Sequence, residues 1–204
     1  MTELFFFYST YSRQTFYAQV RLRSFHTAWV KRRMVFPQSS MASAIRKHDM
    51  TMTTYRLHYF PESGNSYKLA LMLTLCSQTF EPVWTDFGGG VTRTAEWRAA
   101  VNEMGEIPVL EEDGARLTQT APILLQLAER YGRFGGESAK EKFEVLRWLF
   151  WNNHKLTGYV ATYRYHRTFT PSPDPQVQTY FRRRIDDFLA ILERHLKGNA
   201  FAVR

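Results

Sequence analysis

The densest run of groups able to do chemistry is Glu62-Ser63-Gly64-Asn65-Ser66. Two hydroxyls and a carboxamide fall within four residues, after a strand-like segment and before a helical one. Backbone N–H groups at a helix start favour negative charge, so hydroxyl and amide donors added there suit an anion. The same residue types are the preferred helix caps, and the spacing alone leaves both readings open. Other candidate chemistry is thinner. Cys76 is the single cysteine, so no internal disulfide can form and a reducing compartment fits. It closes an apolar run from Ser66 that reads as a buried helix, which makes its thiol a core group rather than a nucleophile. His154 has no second His or Cys at ligand spacing, so no metal site is expected. Gly88-Gly89-Gly90 lacks the Gly-Lys-Ser/Thr ending of a phosphate loop, which argues against a nucleotide.

The elements that must hold these residues follow from periodicity and breakers. Tyr55-Arg-Leu-His-Tyr-Phe60 alternates and is rich in aromatics, as a strand is. Pro61 to Asn65 breaks it, and the helix ending near Cys76 follows. Phe80 to Asp86 reads as a second strand, and Thr92 to Asn102 as a weak helix around Trp97. Ile107-Pro-Val-Leu110 and Arg116-Leu-Thr118 flank Asp113-Gly114, the strongest short hairpin signal. Thr120 then caps a helix with Pro122 in its first turn, and Ile123, Leu124, Leu127 and Tyr131 recur at helical spacing. The order β-α-β-α-β-β-α predicts a small mixed sheet with helices on its faces. Past Gly132-Arg-Phe-Gly-Gly136 long helices take over. Phe143, Leu146, Leu149, Phe150, Asn153, Leu156, Val160 and Tyr163 mark one face of the first. Asp174-Pro175 opens the second, with the stripe Val177, Phe181, Ile185, Phe188, Leu192 and Leu196, and Lys197-Gly198 closes it.

The chain has 204 residues, 44% hydrophobic and 16% aromatic, and a net charge of +8. That suffices for a packed core and excludes a disordered chain. The charge is uneven. Residues 1–54 hold eight Lys or Arg against two acids, Glu3 and Asp49, while the other 150 residues are nearly balanced. Residues 1–53 show no sustained period and read as a basic leader: an upstream extension, a transit-type segment or a basic arm. Because the excess sits there and no recognisable module accompanies it, neither nucleic acid nor membrane is expected as a partner. No stretch approaches the ~18–20 apolar residues of a membrane span, and no secretory signal is evident, so a cytoplasmic protein is expected.

Three motifs together resemble a known family. Tyr59-Phe-Pro-Glu-Ser-Gly-Asn-Ser-Tyr-Lys68, Gly105-Glu-Ile-Pro-Val-Leu110 and Leu117-Thr-Gln-Thr-Ala-Pro-Ile123, in this order and followed by long helices, are similar to the cytosolic, bacterial-like glutathione S-transferases. The resemblance covers about three-quarters of the chain. It implies a thioredoxin-like glutathione-binding domain over 54–132 and an all-helical domain, here incomplete, over 137–204. The implied reaction conjugates the glutathione thiolate to a small hydrophobic electrophile. Glutathione-dependent disulfide reduction, or glutathione binding without turnover, are the alternatives. Glutathione is a co-substrate and no further cofactor is implied. A free thiol is only a few per cent ionised at neutral pH, so a thiolate stabiliser is needed. The family pattern puts Ser63 in that role in serine-type members and Asn65 in members similar to disulfide-bond oxidoreductases. Ile107-Pro108 takes the place of the cis-proline element, whose backbone pairs with the cysteinyl part of glutathione like an added strand. Gln119 and Thr120 take the place of the pair that holds the γ-glutamyl end. Glu106 departs from the pattern, since many members carry Lys there to grip the glycine carboxylate; Arg93, Arg98 or Lys68 could serve instead. Trp148, Trp151, His154, Tyr159, Tyr163 and Arg164 lie on the helix where the electrophile usually binds. A homodimer, formed through the first domain and the long helix, is also implied.

Overall fold

A computed structural model of the chain describes residues 53–203. The leader reading for residues 1–53 lies outside them apart from Thr53. The described residues fall into two compact units, 53–120 and 121–203.

In the first unit a four-stranded sheet has the order β2-β1-β3-β4, with β1 Tyr55–Tyr59, β2 Glu81–Trp84, β3 Val109–Glu112 and β4 Ala115–Thr118. β1 and β2 are parallel, as their helical crossover requires, and the other two pairings are antiparallel. The crossover is α1, Gly64–Leu75, and Leu69, Met72 and Leu73 are its buried face. Cys76 is buried at its C-cap. The β3–β4 hairpin turns on Asp113 and Gly114, both left-handed at φ 49° and 85°, the geometry that Asp-Gly supplies cheaply. The helix expected over 92–102 is split. Thr94 is extended (φ −71°, ψ 149°), separating a 3₁₀ turn Val91–Arg93 from α2, Ala95–Ala100. Its hydroxyl accepts the Trp97 N–H at 3.2 Å, so it starts a helix instead of continuing one.

One row of side chains crosses all four strands. The register places Glu81 beside Arg56, Arg56 beside Glu111 and Glu111 beside Arg116. The Arg56 guanidinium donates to Glu81 at 3.0 Å and to Glu111 at 2.7 Å. Arg116 lies 3.4 Å from the other Glu111 oxygen, and His58 Nε2 lies 3.0 Å from it. Glu111 is only 8% exposed. Burial alone would raise its carboxyl, but the hydrogen bonds with His58 and Arg56 outweigh that and hold it below the usual carboxylate value. The neighbouring Tyr55 hydroxyl donates to buried Glu112 at 3.0 Å on the alternate set of residues, which also includes Leu57 and Leu110.

The second unit begins within α3, Thr120–Tyr131, whose Ile123, Leu124, Leu127 and Ala128 are buried. A long helical run then comprises α4 Ala139–Trp151, a π-helical turn Asn152–Thr157 and α5 Gly158–Phe169. α6 spans Pro175–Leu196, with the Asp174 side chain accepting the Gln176 N–H at 2.7 Å and Pro175 in the first turn. Lys197 closes it, and Gly198 is left-handed at φ 94°. Its core joins Trp148, Leu156, Phe188, Leu192 and Ala202, with Trp151, Tyr159 and Val160 packed on them. The apolar face expected for the first long helix is in fact two stripes. Leu149 and Leu156 are buried with Val145 and Trp148, whereas Phe143 and Phe150 are 64% and 73% exposed and Leu146 is exposed too. Positions 143, 146 and 150 share one helical line, while 145, 148, 149 and 156 share another. Among the described residues no helix is long and apolar enough to cross a membrane.

Glu111→Gln keeps the shape of the side chain and removes its charge. It is expected to destabilise the chain by about 1–3 kcal/mol in urea denaturation at pH 7, as a buried polar group losing its partners does. The difference should shrink in acid. A carboxyl held below its unfolded value, about 4.3, adds stability above that pH and loses it as pH falls through the folded value. Equal stability of the two proteins at pH 7 would count against the charged row.

Candidate functional site at one end of the sheet

The register fixes which segments meet at one end of the sheet. Tyr59 pairs with Trp84, and Val109 pairs with both His58 and Thr118. Immediately past these pairs come Phe60–Ser66 after β1, Thr85–Phe87 after β2, Ile107–Pro108 before β3 and Gln119–Thr120 after β4. All the glutathione-site residues expected from the sequence therefore leave the sheet at the same end. The loops are tied there. The Thr85 N–H donates to the Tyr59 carbonyl at 2.9 Å, and the Phe60 and Phe87 rings lie 5.1 Å apart.

The turn after β1 is closed by the Ser63 N–H donating to the Phe60 carbonyl at 2.9 Å. Ser63 is the N-cap of α1 (φ −79°, ψ 112°), and its Oγ accepts the Ser66 N–H at 3.1 Å. Capping occupies a lone pair of the oxygen and leaves its O–H able to donate elsewhere. Gly64 is exposed, and among the described residues a Cβ there would meet nothing within 4 Å. Asn65 Oδ1 accepts from Lys68 Nζ at 3.2 Å, one helical turn on. Burial pushes the Lys68 amine down to about 8, so at neutral pH it remains mostly an ammonium. The Ser66 hydroxyl is buried and has no hydrogen-bond partner among the described residues.

The Ile107–Pro108 peptide bond is cis, as the resemblance implies. Just before it, the Glu106 carbonyl accepts from buried Asn102 at 2.8 Å. Gln119 is left-handed at φ 66°, an uncommon conformation for a residue with a side chain. Its amide Nε2 donates to the Glu106 carboxylate at 2.8 Å and lies 3.4 Å from Met104 Sδ. The departure at Glu106 is thus matched by Gln119 within the fold, a pairing across 13 residues that no sequence spacing announces. Thr120 is the buried first residue of α3. Of the three cations considered for the glycine carboxylate, Arg98 lies over Gly105, whose added Cβ would fall 2.8 Å from its Nη2 and 2.8 Å from the Thr92 carbonyl. Gly105 is also left-handed at φ 69°, so the approach depends on glycine. Arg93 lies instead over Gly90, and Lys68 is held at Asn65.

On the long helical run the aromatic candidates separate. Trp148 is buried and Trp151 packs with it in the core, so these two serve packing. Tyr159 also packs on that core, and hydrogen bonds from Tyr180 and Arg184 lower its phenol pKa. Tyr163 and Arg164 are half-buried, and His154 is exposed within the π-helical turn. Nothing in the residue pattern signals that turn. Among the described residues no group of three or more His, Cys, Asp or Glu could hold a metal ion.

Comparison with known proteins accords with this geometry. A sequence profile of the glutathione S-transferase N-terminal domain matches residues 57–138. The chain is 32% identical over 149 residues to the disulfide-bond oxidoreductase YfcG of Escherichia coli K12, covering 69% of this chain and 68% of that protein. A solved glutathione S-transferase structure from Pseudomonas fluorescens superposes with a TM-score of 0.66 at 30% identity, over 73% of this chain and 75% of that one. The Ure2 protein of Meyerozyma guilliermondii is 22% identical over 151 residues, 70% of this chain, and the chain spans only 50% of its length. The chain belongs to the glutathione S-transferase family, with the thioredoxin-like N-terminal fold followed by helices.

The cap can be tested apart from any ligand. Ser63→Ala is expected to cost about 1 kcal/mol in thermal or urea unfolding, and Ser63→Gly only a few tenths. Unchanged stability of Ser63→Ala relative to wild type would show that the hydroxyl contributes nothing to holding α1.

Proposed function

We propose that the chain binds glutathione at this end of the sheet, stabilises its thiolate at the start of α1, and transfers it to a small hydrophobic electrophile. The observation that carries this reading is the convergence, fixed by strand register, of Ser63 and Asn65 with Ile107-Pro108 and Gln119-Thr120. Backbone groups of Ile107 would pair with the cysteinyl part of the tripeptide as an added strand does. Thr120, at a helix start, would receive the γ-glutamyl carboxylate, and Arg98 beside Gly105 is the cation best placed for the glycine end. A hydroxyl or amide donor on the sulfur lowers its pKa and raises the fraction of nucleophile. A second reading, glutathione-dependent disulfide reduction, is favoured by Asn65, whose carboxamide is oriented by Lys68, and by the likeness to the E. coli oxidoreductase.

Two variants and two assays separate them. If Ser63 is the donor, Ser63→Ala loses conjugation of a chlorinated nitroaromatic by about 10²–10³ while Asn65→Ala keeps most of it. If Asn65 is the donor for disulfide exchange, Asn65→Ala loses reduction of a small dialkyl disulfide by a similar factor and Ser63→Ala does not. Full activity in both variants would remove this turn from the chemistry.

We also propose a homodimer, with the exposed stripe Phe143, Leu146 and Phe150 of α4 as part of its interface. Apolar side chains aligned on one exposed helix face suit a second copy, which would remove them from water. Phe150→Glu is expected to shift the chain to monomer in sedimentation velocity; an unchanged coefficient would exclude this face.

A further inference from the structure

We propose that Lys68 is a positioning residue, holding the Asn65 carbonyl oxygen so that the amide N–H₂ is the end presented at the start of α1 to the glutathione sulfur. This inference rests on the second reading above, in which Asn65 is the donor to the glutathione sulfur. A carboxamide is two-ended, and its two ends differ in which ligand charge they suit. An acceptor oxygen facing a thiolate would repel it, whereas the N–H₂ end stabilises it. The flip is decided by the partner that the other end meets. Here Lys68 Nζ is 3.2 Å from Asn65 Oδ1, and an ammonium only donates. Turning the amide over would set its N–H₂ donors against the donors of the Lys68 ammonium.

Two features of the same turn agree with a site arranged for an incoming anion. Gly64, between Ser63 and Asn65, carries no side chain, and among the described residues a Cβ there would meet nothing within 4 Å. Ser63, on its other side, spends only the acceptor side of its hydroxyl on the cap, accepting the Ser66 N–H at 3.1 Å. The burial of Lys68 also has a consequence for experiment. Its amine is held in an environment that opposes its charge, so replacing it by an apolar side chain of similar length should not cost the fold much.

The test uses the full chain and three variants, Lys68→Met, Lys68→Arg and Asn65→Ala, with the double variant of Lys68→Met and Asn65→Ala. Calorimetry with S-methylglutathione, which has no thiol, reports whether the tripeptide site exists. The ultraviolet absorbance of the thiolate, followed against pH with glutathione bound, reports the pKa of its sulfur. The expected result is that Lys68→Met binds S-methylglutathione as wild type does, raises the thiol pKa and lowers kcat about tenfold. That is less than the loss of a donor outright, and Lys68→Arg restores most of it. In the Asn65→Ala background Lys68→Met should change nothing further, because its effect passes through the amide. A thiol pKa in Lys68→Met equal to that of wild type overturns the inference and leaves the site reading standing. Additive effects in the double variant also overturn it, since they would make Lys68 act on the sulfur directly. Failure of wild type to bind S-methylglutathione overturns the site reading and this inference with it. If Lys68→Met melts well below wild type, Lys68→Gln is measured in its place with the same outcomes.

Discussion

The placement of every candidate site residue depends on the pairing of β3 between β1 and β4. A strand that slipped by one residue would turn all its side chains to the opposite face. It would also move Ile107-Pro108 relative to Ser63 and Gln119. The row Glu81, Arg56, Glu111 and Arg116 opposes such a slip, because alternating charges meet only in one register. Cross-strand pairs of this kind are individually modest. Their weight here comes from Glu111, which is buried and serves Arg56, His58 and Arg116 together. A shifted strand would strand that carboxylate among unmatched neighbours. The interaction that orders the sheet therefore also orders the loops at its end.

Much of this was legible in the residues, and the reasons differ from element to element. Asp113-Gly114 predicts its hairpin because few dipeptides accept two left-handed residues in a row. Asp174-Pro175 predicts the start of α6 because a cap and a fixed φ act locally. Local rules failed where an outcome is set by distant partners. Phe143, Leu146 and Phe150 satisfy helical spacing as well as Leu149 and Leu156 do, yet they stay exposed. A helix apolar on more than one line does not say which line faces the core. Glu106 looked like a lone departure from a family pattern because its partner, Gln119, lies beyond a hairpin. The π-helical turn Asn152–Thr157 has no proline or glycine within it to mark it.

The start of α1 shows how one group can serve the fold and remain available for chemistry. Ser63 accepts from the helix through oxygen and still carries a proton to give. Asn65 is held by its oxygen and keeps its N–H₂ end. In both cases the structural bond uses the acceptor side and leaves the donor side, which is the side an anion requires. The spacing of these residues does not separate a cap from a donor, and the contacts within the fold use only the acceptor side of each.

At one margin of the sheet, β2 is, among the described residues, an edge strand paired with β1, and its four residues are Glu81, Pro82, Val83 and Trp84. Proline has no N–H for a neighbour to receive, and an exposed carboxylate discourages a second chain from lying alongside. The opposite margin, β4, is four residues long and carries the exposed Arg116, another known deterrent. Neither border of the sheet is a good template for backbone-to-backbone growth. Among the described residues, the two borders of the sheet thus carry the features that discourage strand-to-strand growth, while its middle strands are the buried ones.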